Sequence, residues 1–474
     1  MAIPTMTTKP RATVPAARMD PHTARRGMFV IEDGRNVAFT FFLLVFLFAL
    51  WGFCNGMIDV MDKHFQEELH LNLAQSAWVQ FAHYLGYFLM AIPAGWLAIK
   101  LGYKGGIIAG LLMVAAGGFW FIPATHIAQF WAFLLGVCII AAGLTFLETI
   151  ANPYTTVLGP PQYAATRINL AQSINGIGLL LGPIAGGAFF YSKNAAGIST
   201  GSERLWIPYA FIGVIVLILS IVFFFAPMPD IEMEDDYNLD TSSPDTRQSI
   251  WSHPHFWMAV LAQFLYVAAQ AGIFSFFINY MTSQVPPLSP SWQAPGVSNT
   301  GFFSGWIEMH PNGVLGFSNK AASNLASLGF LCFLIGRFTG SAILKKFTPY
   351  KVLGWYSVAA VALCLLIFAK LGWVSVGCVF LTYFFMSIMF PTIFALGIFG
   401  LGQSAKKASS FIVMAIMGGA ILPKVMGAVA DRSDLSRGFI VPMLCFAFVA
   451  LYGFIWPRLS NAHGAVRVST SSGH

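Results

Sequence analysis

Two carboxylates stand where a polypeptide seldom places one. Asp59 and Glu148 each fall inside a run of apolar residues long enough to span a bilayer, where a charge at the centre costs about 2.5–3.5 kcal/mol on insertion scales. Asn55 precedes Asp59 by one helical turn and Asn152 follows Glu148 by one, so each carboxyl shares a helix face with an amide. Trp51 lies two turns before Asp59, roughly on the same face. The chemistry open to such a set is reversible protonation beside a bound polar solute. Two plainer accounts compete with it. Asp59, with Asp62 and Lys63 beside it, also suits a residue snorkelling from a helix end, and Glu148 also suits a buried interhelical hydrogen bond.

Further amides recur in stripes. A fifth apolar run opens with Arg167 and continues Asn169, Gln172 and Asn175, and a seventh carries Gln263, Tyr266, Gln270 and Asn279. Amides both donate and accept, as sugar hydroxyls do, so a polyol matches this lining better than a cation or a lipid. Bonding between helices is the competing account for any one of them. Trp51 and Phe274 could stack on the C–H face of a pyranose. Gln80 and His83, three residues apart, suit either a proton relay or a hydrogen-bonded core. Arg337 and Lys424 are both expected to pair with carboxyls or helix C-termini, Arg337 serving in gating, whereas the spacing assigns Lys424 no functional role.

The elements that must position these groups follow from composition. Of 474 residues 57% are hydrophobic and 9% charged, against about 25% charged in soluble domains, and the mean hydropathy is +0.70. This excludes a soluble enzyme. A spanning helix needs about 20 apolar residues, and segments near 37–61, 75–99, 105–122, 127–157, 164–190, 205–227, 255–283, 320–344, 350–369, 372–400, 404–430 and 438–456 qualify. The pattern predicts an all-α membrane protein of twelve transmembrane helices in two six-helix bundles, 37–227 and 254–457. An acidic linker at 228–253 joins them, and an outer loop at 285–319, with Trp292, Phe302, Phe303 and Trp306, is expected to fold against the mouth. Residues 1–36 read as a basic tail rather than a signal peptide, and 458–474 as a second tail. Lys and Arg gather on the side of both termini, with a formal net charge of +7 overall, which predicts cytoplasmic termini. The six cysteines all sit in apolar runs and imply neither a disulfide framework nor a metal site. No phosphate loop, zinc-binding helix or nucleophile elbow appears, so no cofactor, enzymatic role or nucleic-acid partner is indicated. Transport driven by an ion gradient remains, with a small molecule, an ion and the bilayer as partners of a monomer.

Several motifs carry a likeness to a known family. The stretches Phe146–Pro153 (FLETIANP), Arg167–Asn175 (RINLAQSIN), Val260–Gln270, Gly336–Gly340 (GRFTG) and Met386–Phe394 resemble, in order and spacing, the L-fucose permease family of the major facilitator superfamily. The likeness runs from about residue 37 to 457. It implies a proton-coupled sugar symporter of the bacterial inner membrane with the major facilitator fold. Residue by residue, it implies that Asp59 carries the proton and that Glu148 links sugar binding to coupling. It also matches Gln172 and Asn175 to binding amides, Trp51 to a first-helix tryptophan and Arg337 to an eighth-helix arginine. Phe390 and Phe274 stand where the fucose carrier has tyrosine and tryptophan, so the sugar is open among L-fucose, glucose, galactose and N-acetylglucosamine. Sodium coupling, an exporter of another small molecule and a non-transporting sugar sensor are the alternatives.

Overall fold

A computed structural model describes residues 27–31, 34–160, 164–191, 206–229, 250–289, 305–310, 313–344, 346–399, 401 and 405–460. The tail at 1–26, the linker at 230–249, the loop stretch 290–304 with Trp292, Phe302 and Phe303, and the C-terminal 461–474 lie outside the described residues.

In hydrocarbon a backbone must satisfy its own hydrogen bonds, and runs of apolar residues do so as helices. The N-terminal half contains α1 (Ala38–Glu68), the short α2 (Leu73–Ser76), α3 (Trp78–Ile127), α4 (Phe130–Val157), α5 (Ala164–Phe190) and α6 (Trp206–Phe225). The C-terminal half contains α7 (Pro254–Ser275), α8 (Phe277–Ser283), α9 (Asn319–Leu344), α10 (Pro349–Phe368), α11 (Trp373–Met386), α12 (Met389–Ile398), α13 (Ala405–Met414), α14 (Gly418–Arg432), α15 (Leu435–Gly438) and α16 (Ile440–Leu459). Among the described residues eleven helical stretches are long and apolar enough to cross a membrane. The remaining expected span is the first part of α3, where Gln80, His83, Tyr84 and Tyr87 dilute the apolar run. Gly102, at φ 68° and ψ 177°, separates it from the third span, a left-handed conformation that glycine adopts without a Cβ clash. Large apolar side chains such as Phe211, Phe224, Phe225 and Leu444 face outward, as a lipid solvent requires. Between the seventh and eighth spans, Ile307–Met309 and Leu315–Phe317 pair as an antiparallel ribbon, and Trp306 packs beside it.

Inside the N-terminal half α1 lies along α5, and α3 packs on α4 and α6. Small residues set how closely α1 and α5 approach. A Cβ on Gly56 would meet the Leu179 carbonyl oxygen at 2.6 Å, and one on Gly178 would meet the Ala49 carbonyl oxygen at 2.1 Å. Gly52 and Gly56 on α1 face Gly178 and Gly182 on α5, each pair four residues apart, which is the small-residue spacing that lets helices cross at backbone contact. This seam sets α1 against α5, with Asn175 of α5 donating to the Phe48 carbonyl of α1.

The two halves meet at one end. Call the end where α1 starts the near end and the other the distal end. Asp431, in the last turn of α14, accepts the backbone N–H groups of Leu73 and Ala74 at 2.9 Å each. Ser275 on α7 donates to Asp62 on α1, Asn319 on α9 to Glu67, and Ser323 on α9 to the Pro183 carbonyl of α5. Among the described residues the hydrogen bonds that join the halves all lie in the distal part. Near-end bonds stay within a half: Lys104 donates to the Ala226 carbonyl at 3.0 Å, and Trp456 to the Leu396 carbonyl at 3.0 Å.

Candidate functional site

The site begins on α1. Trp51, Asn55 and Asp59 share one face, and each meets the first part of α3. Trp51 Nε1 donates to the Tyr87 hydroxyl at 2.8 Å, the Asn55 side chain lies beside that hydroxyl, and Gln80 Nε2 donates to Asp59 Oδ1 at 2.9 Å. Asn55 Oδ1 has no hydrogen-bond partner. Asp59 is half-buried, and among the described residues no base forms an ion pair with it. Gln80 thus belongs to the site, while His83 is buried against the rings of Tyr84 and Tyr87 with Nδ1 unpaired.

Glu148 on α4 is likewise half-buried and has no basic partner among the described residues. Tyr84 connects the acids: its hydroxyl lies within electrostatic reach of Asp59, Glu148 and, across the halves, Tyr266. Tyr87 is in reach of Glu148 as well. From the C-terminal half Tyr383 on α11 faces Asp59, its hydroxyl unpaired. The sequence reading missed Tyr84, Tyr87 and Tyr383. For the first two a signal existed, since they follow Gln80 by four and seven residues on one helical face.

The remaining expected residues divide. Gln172 is half-buried on α5, in contact with other polar groups. Asn175 spends an N–H on the Phe48 carbonyl of α1 at 3.0 Å, so it fastens the α1–α5 seam. Asn152 lies on α4, with its side chain outside the described set, as is that of Asn169 on α5. On α7 the expected stripe breaks up. Tyr266 is fully buried and donates to the Met386 carbonyl at 2.8 Å, and Gln263 is fully buried with neither amide atom paired. The helix ends at Ser275, which puts Asn279 on the separate α8, buried with Nδ2 unpaired. Gln270 and Phe274 alone of that stripe keep partly open positions. Phe274 stacks on Tyr383 with ring centroids 4.6 Å apart and meets Phe330 edge-on at 4.9 Å, giving the site an aromatic wall.

Arg337 departs from expectation. No carboxylate partners it among the described residues; its guanidinium lies over the Phe333 ring at 5.0 Å, and Nε is unpaired. The Tyr266 hydroxyl lies within its electrostatic reach. Lys424 gains a place that spacing did not supply, with Nζ 3.6 Å above the Trp78 ring, bridging α14 and α3 across the halves. Among the described residues no group of three or more His, Cys, Asp or Glu could hold a metal ion. The arrangement offers two carboxyls without a basic partner among the described residues, amides, tyrosine hydroxyls and an aromatic wall on facing sides of the two halves.

Comparison with known proteins agrees with this architecture. The model of the Major Facilitator Superfamily matches residues 38–423. The L-fucose-proton symporter of Escherichia coli K12 is 35% identical over 438 residues, covering 89% of this chain and 93% of that one. A glucose/galactose transporter of Brucella abortus is 31% identical over 422 residues, covering 89% and 95%. A crystal structure of FucP, a superfamily transporter captured in the outward conformation, superposes with a TM-score of 0.62 at 35% identity over 89% of this chain and 99% of that chain.

Proposed function

Because the chain belongs to the major facilitator superfamily and, within it, to the family of the L-fucose–proton symporter, we propose that it is a proton-coupled hexose symporter working by alternating access. The observation that carries this reading is the pair of half-buried carboxyls, Asp59 and Glu148, with no basic partner among the described residues and sharing Tyr84 as neighbour. A carboxylate with no base beside it is costly whenever water leaves, so occlusion favours the state in which it holds a proton. Sugar binding and proton binding then favour the same closed arrangement, and each ligand shifts the population by its differential affinity.

In this reading Asp59 carries the proton, Glu148 binds both proton and sugar hydroxyls, and Asn55, Asn152, Gln172 and Gln270 donate and accept around the ring. Trp51 and Phe274 bound its apolar face. Asn175, Gln263 and Tyr266 act as supports in the present conformation and could reach the sugar in another. Arg337, near the end of α9, lies where a gate on the near side would close.

The gathering of Lys and Arg on the side of both termini supports a cytoplasmic near end and an inner-membrane location. With that orientation, the joining of the halves at the distal end supports reading this arrangement as inward-facing, opposite in sense to the outward FucP structure.

The test is uptake into proteoliposomes of labelled L-fucose, D-galactose, D-glucose and N-acetylglucosamine under an imposed pH gradient or an imposed sodium gradient. Accumulation of one hexose under the pH gradient alone is expected. Accumulation under sodium alone, or none with folded protein, overturns the reading.

A further inference from the structure

A third membrane carboxyl has no part in the mechanism above. Asp62 sits one turn beyond Asp59 on α1, towards the distal end, and is fully buried. Its Oδ2 accepts from Ser275 of α7, in the opposite half, and its Oδ1 has no partner. The groups facing it are Asp59 and Lys63 from α1, Ser76 from α2, Tyr191 from the end of α5 and Ser275 from α7. None compensates a full negative charge. Lys63 gives its ammonium to Glu67 at 3.1 Å and to Gln66 Oε1 at 3.4 Å, and the Ser76 hydroxyl donates to the Leu73 carbonyl at 3.1 Å.

A carboxylate cut off from water with one hydroxyl donor is far more costly than the neutral acid in the same place. Because Ser275 belongs to the other half, it is closure of the distal end that completes the bond and removes the water. Asp59, about 4.5 Å of helical rise away, remains half-buried on the cavity side. Asp62 is thus sealed at the distal end, while its neighbour faces the site.

We propose that Asp62 is a second proton-bearing residue of the transport cycle, loaded from the distal solution while the halves are apart, sealed by closure against Ser275, and unloaded through Asp59 into the central cavity. The step balances as proton transfer alone. A hydronium protonates the Asp62 carboxylate; after closure the Asp62 O–H breaks as an O–H forms on Asp59, and Asp59 gives that proton to cavity water. Two like charges one turn apart, one of them buried, then disfavour the closed distal end and drive it open. One proton has moved from the distal to the near side.

This inference rests on the symport reading, and the experiment separates the two. Purified wild type, Asp62→Asn and Ser275→Ala are reconstituted, and two quantities are read for the transported hexose: accumulation under a pH gradient, and exchange with sugar on both sides at equal pH. One proton per sugar sustains about tenfold accumulation per pH unit. Asp62→Asn mimics the loaded acid, so exchange is expected within about twofold of wild type, while accumulation falls from about tenfold to none and the dependence of influx on distal pH flattens. Ser275→Ala leaves the carboxyl in place and is expected to keep accumulation. Accumulation by Asp62→Asn at the wild-type level overturns the proposal, as does loss of accumulation in Ser275→Ala with exchange intact, which would make Asp62 a latch only. Loss of both activities in a monodisperse, sugar-binding Asp62→Asn overturns it in favour of a structural role. Failure of the wild type itself to accumulate under a pH gradient removes the symport reading and this one together.

Discussion

The two halves share a helical plan but divide the labour. In the N-terminal half the acids Asp59, Asp62 and Glu148 lie within spans, and no base forms an ion pair with them among the described residues. The C-terminal half holds its three acids, Glu308, Asp431 and Asp434, in the loop and at the distal rim, where Asp431 accepts backbone N–H groups and Asp434 pairs with Lys370. To the interior it brings, beside the amides Gln263 and Gln270 and the cation Arg337, an aromatic cluster: Phe274, Phe330 and Tyr383 in mutual ring contact. Under the proposed function, the difference teaches that ion coupling and sugar contact need not be built symmetrically from repeated parts: one half would hold the groups whose charge changes, and the other would offer a surface whose charge does not.

The largest effect expected from this division is at Glu148. Glu148→Gln fixes the site in its neutral form, so accumulation is expected to fall from about tenfold per pH unit to none while exchange persists; labelled-sugar uptake against exchange reads it. If Glu148→Gln and Phe274→Ala had the same phenotype, the division between halves would fail. Next comes the seam that positions the acids. Gly56→Leu drives a side chain into α5, where a Cβ at this position would already meet the Leu179 carbonyl oxygen at 2.6 Å and Pro183 at 3.1 Å. A cost of about 1–3 kcal/mol or more is expected, seen as a lower melting temperature in detergent. A substitution of the same size at Gly377 on α11, which has open space around it, is expected to leave that temperature nearly unchanged.

How much of this was legible beforehand depended on whether the signal lay along the chain or across it. Asp59 and Glu148 stood out because the surrounding residues were apolar, and the break at Gly102 because bases and glycines bracket it. The fold followed from run lengths and from family motifs. Asp62 was passed over because its neighbours Asp59 and Lys63 suggested a wet helix end; only the tertiary approach of Ser275 shows that it is dry. The division of the α7 stripe has a related cause. Spacing put Gln263, Tyr266, Gln270 and Asn279 in the seventh span, but not where Met386 would offer a carbonyl to Tyr266 or where the helix would end. Tyr383 was invisible because nothing near it in sequence is polar enough to mark a site, and its neighbour Asp59 belongs to the other half.

A smaller effect is expected on the aromatic side. Phe274→Ala removes a ring stacked on Tyr383 and the apolar face offered to a sugar, worth about 0.5–1.5 kcal/mol for an aromatic contact. The hexose half-saturation concentration is expected to rise by about two- to tenfold at that energy, with coupling to the pH gradient intact. Loss of coupling instead would extend the titrating machinery into the C-terminal half.

The smallest effect tests the rim acids. Asp434 sits outside the spans; partial burial raises its pKa, but the Lys370 ammonium at 2.7 Å, the Arg437 backbone N–H at 3.1 Å and the Arg437 guanidinium at 3.5 Å outweigh that and leave it below the ordinary value. A carboxyl whose folded pKa is depressed contributes stability that is present above its unfolded value of about 3.9 and is lost as pH falls through the folded value. Asp434→Asn is therefore expected to cost about 0.2–1 kcal/mol at neutral pH, the range of exposed ion pairs. The gap from wild type should close as the solution is acidified below the folded value, and shrink in high salt. Thermal unfolding across pH reads both. The contrast in the N-terminal half is Asp62, which has no ion-pair partner among the described residues, so Asp62→Asn is expected to show no such loss. A neutral-pH loss in Asp62→Asn as large as that in Asp434→Asn, vanishing in acid in the same way, would mean that the buried acid holds its charge in the folded protein, and the contrast between the halves would then rest on the aromatic wall alone.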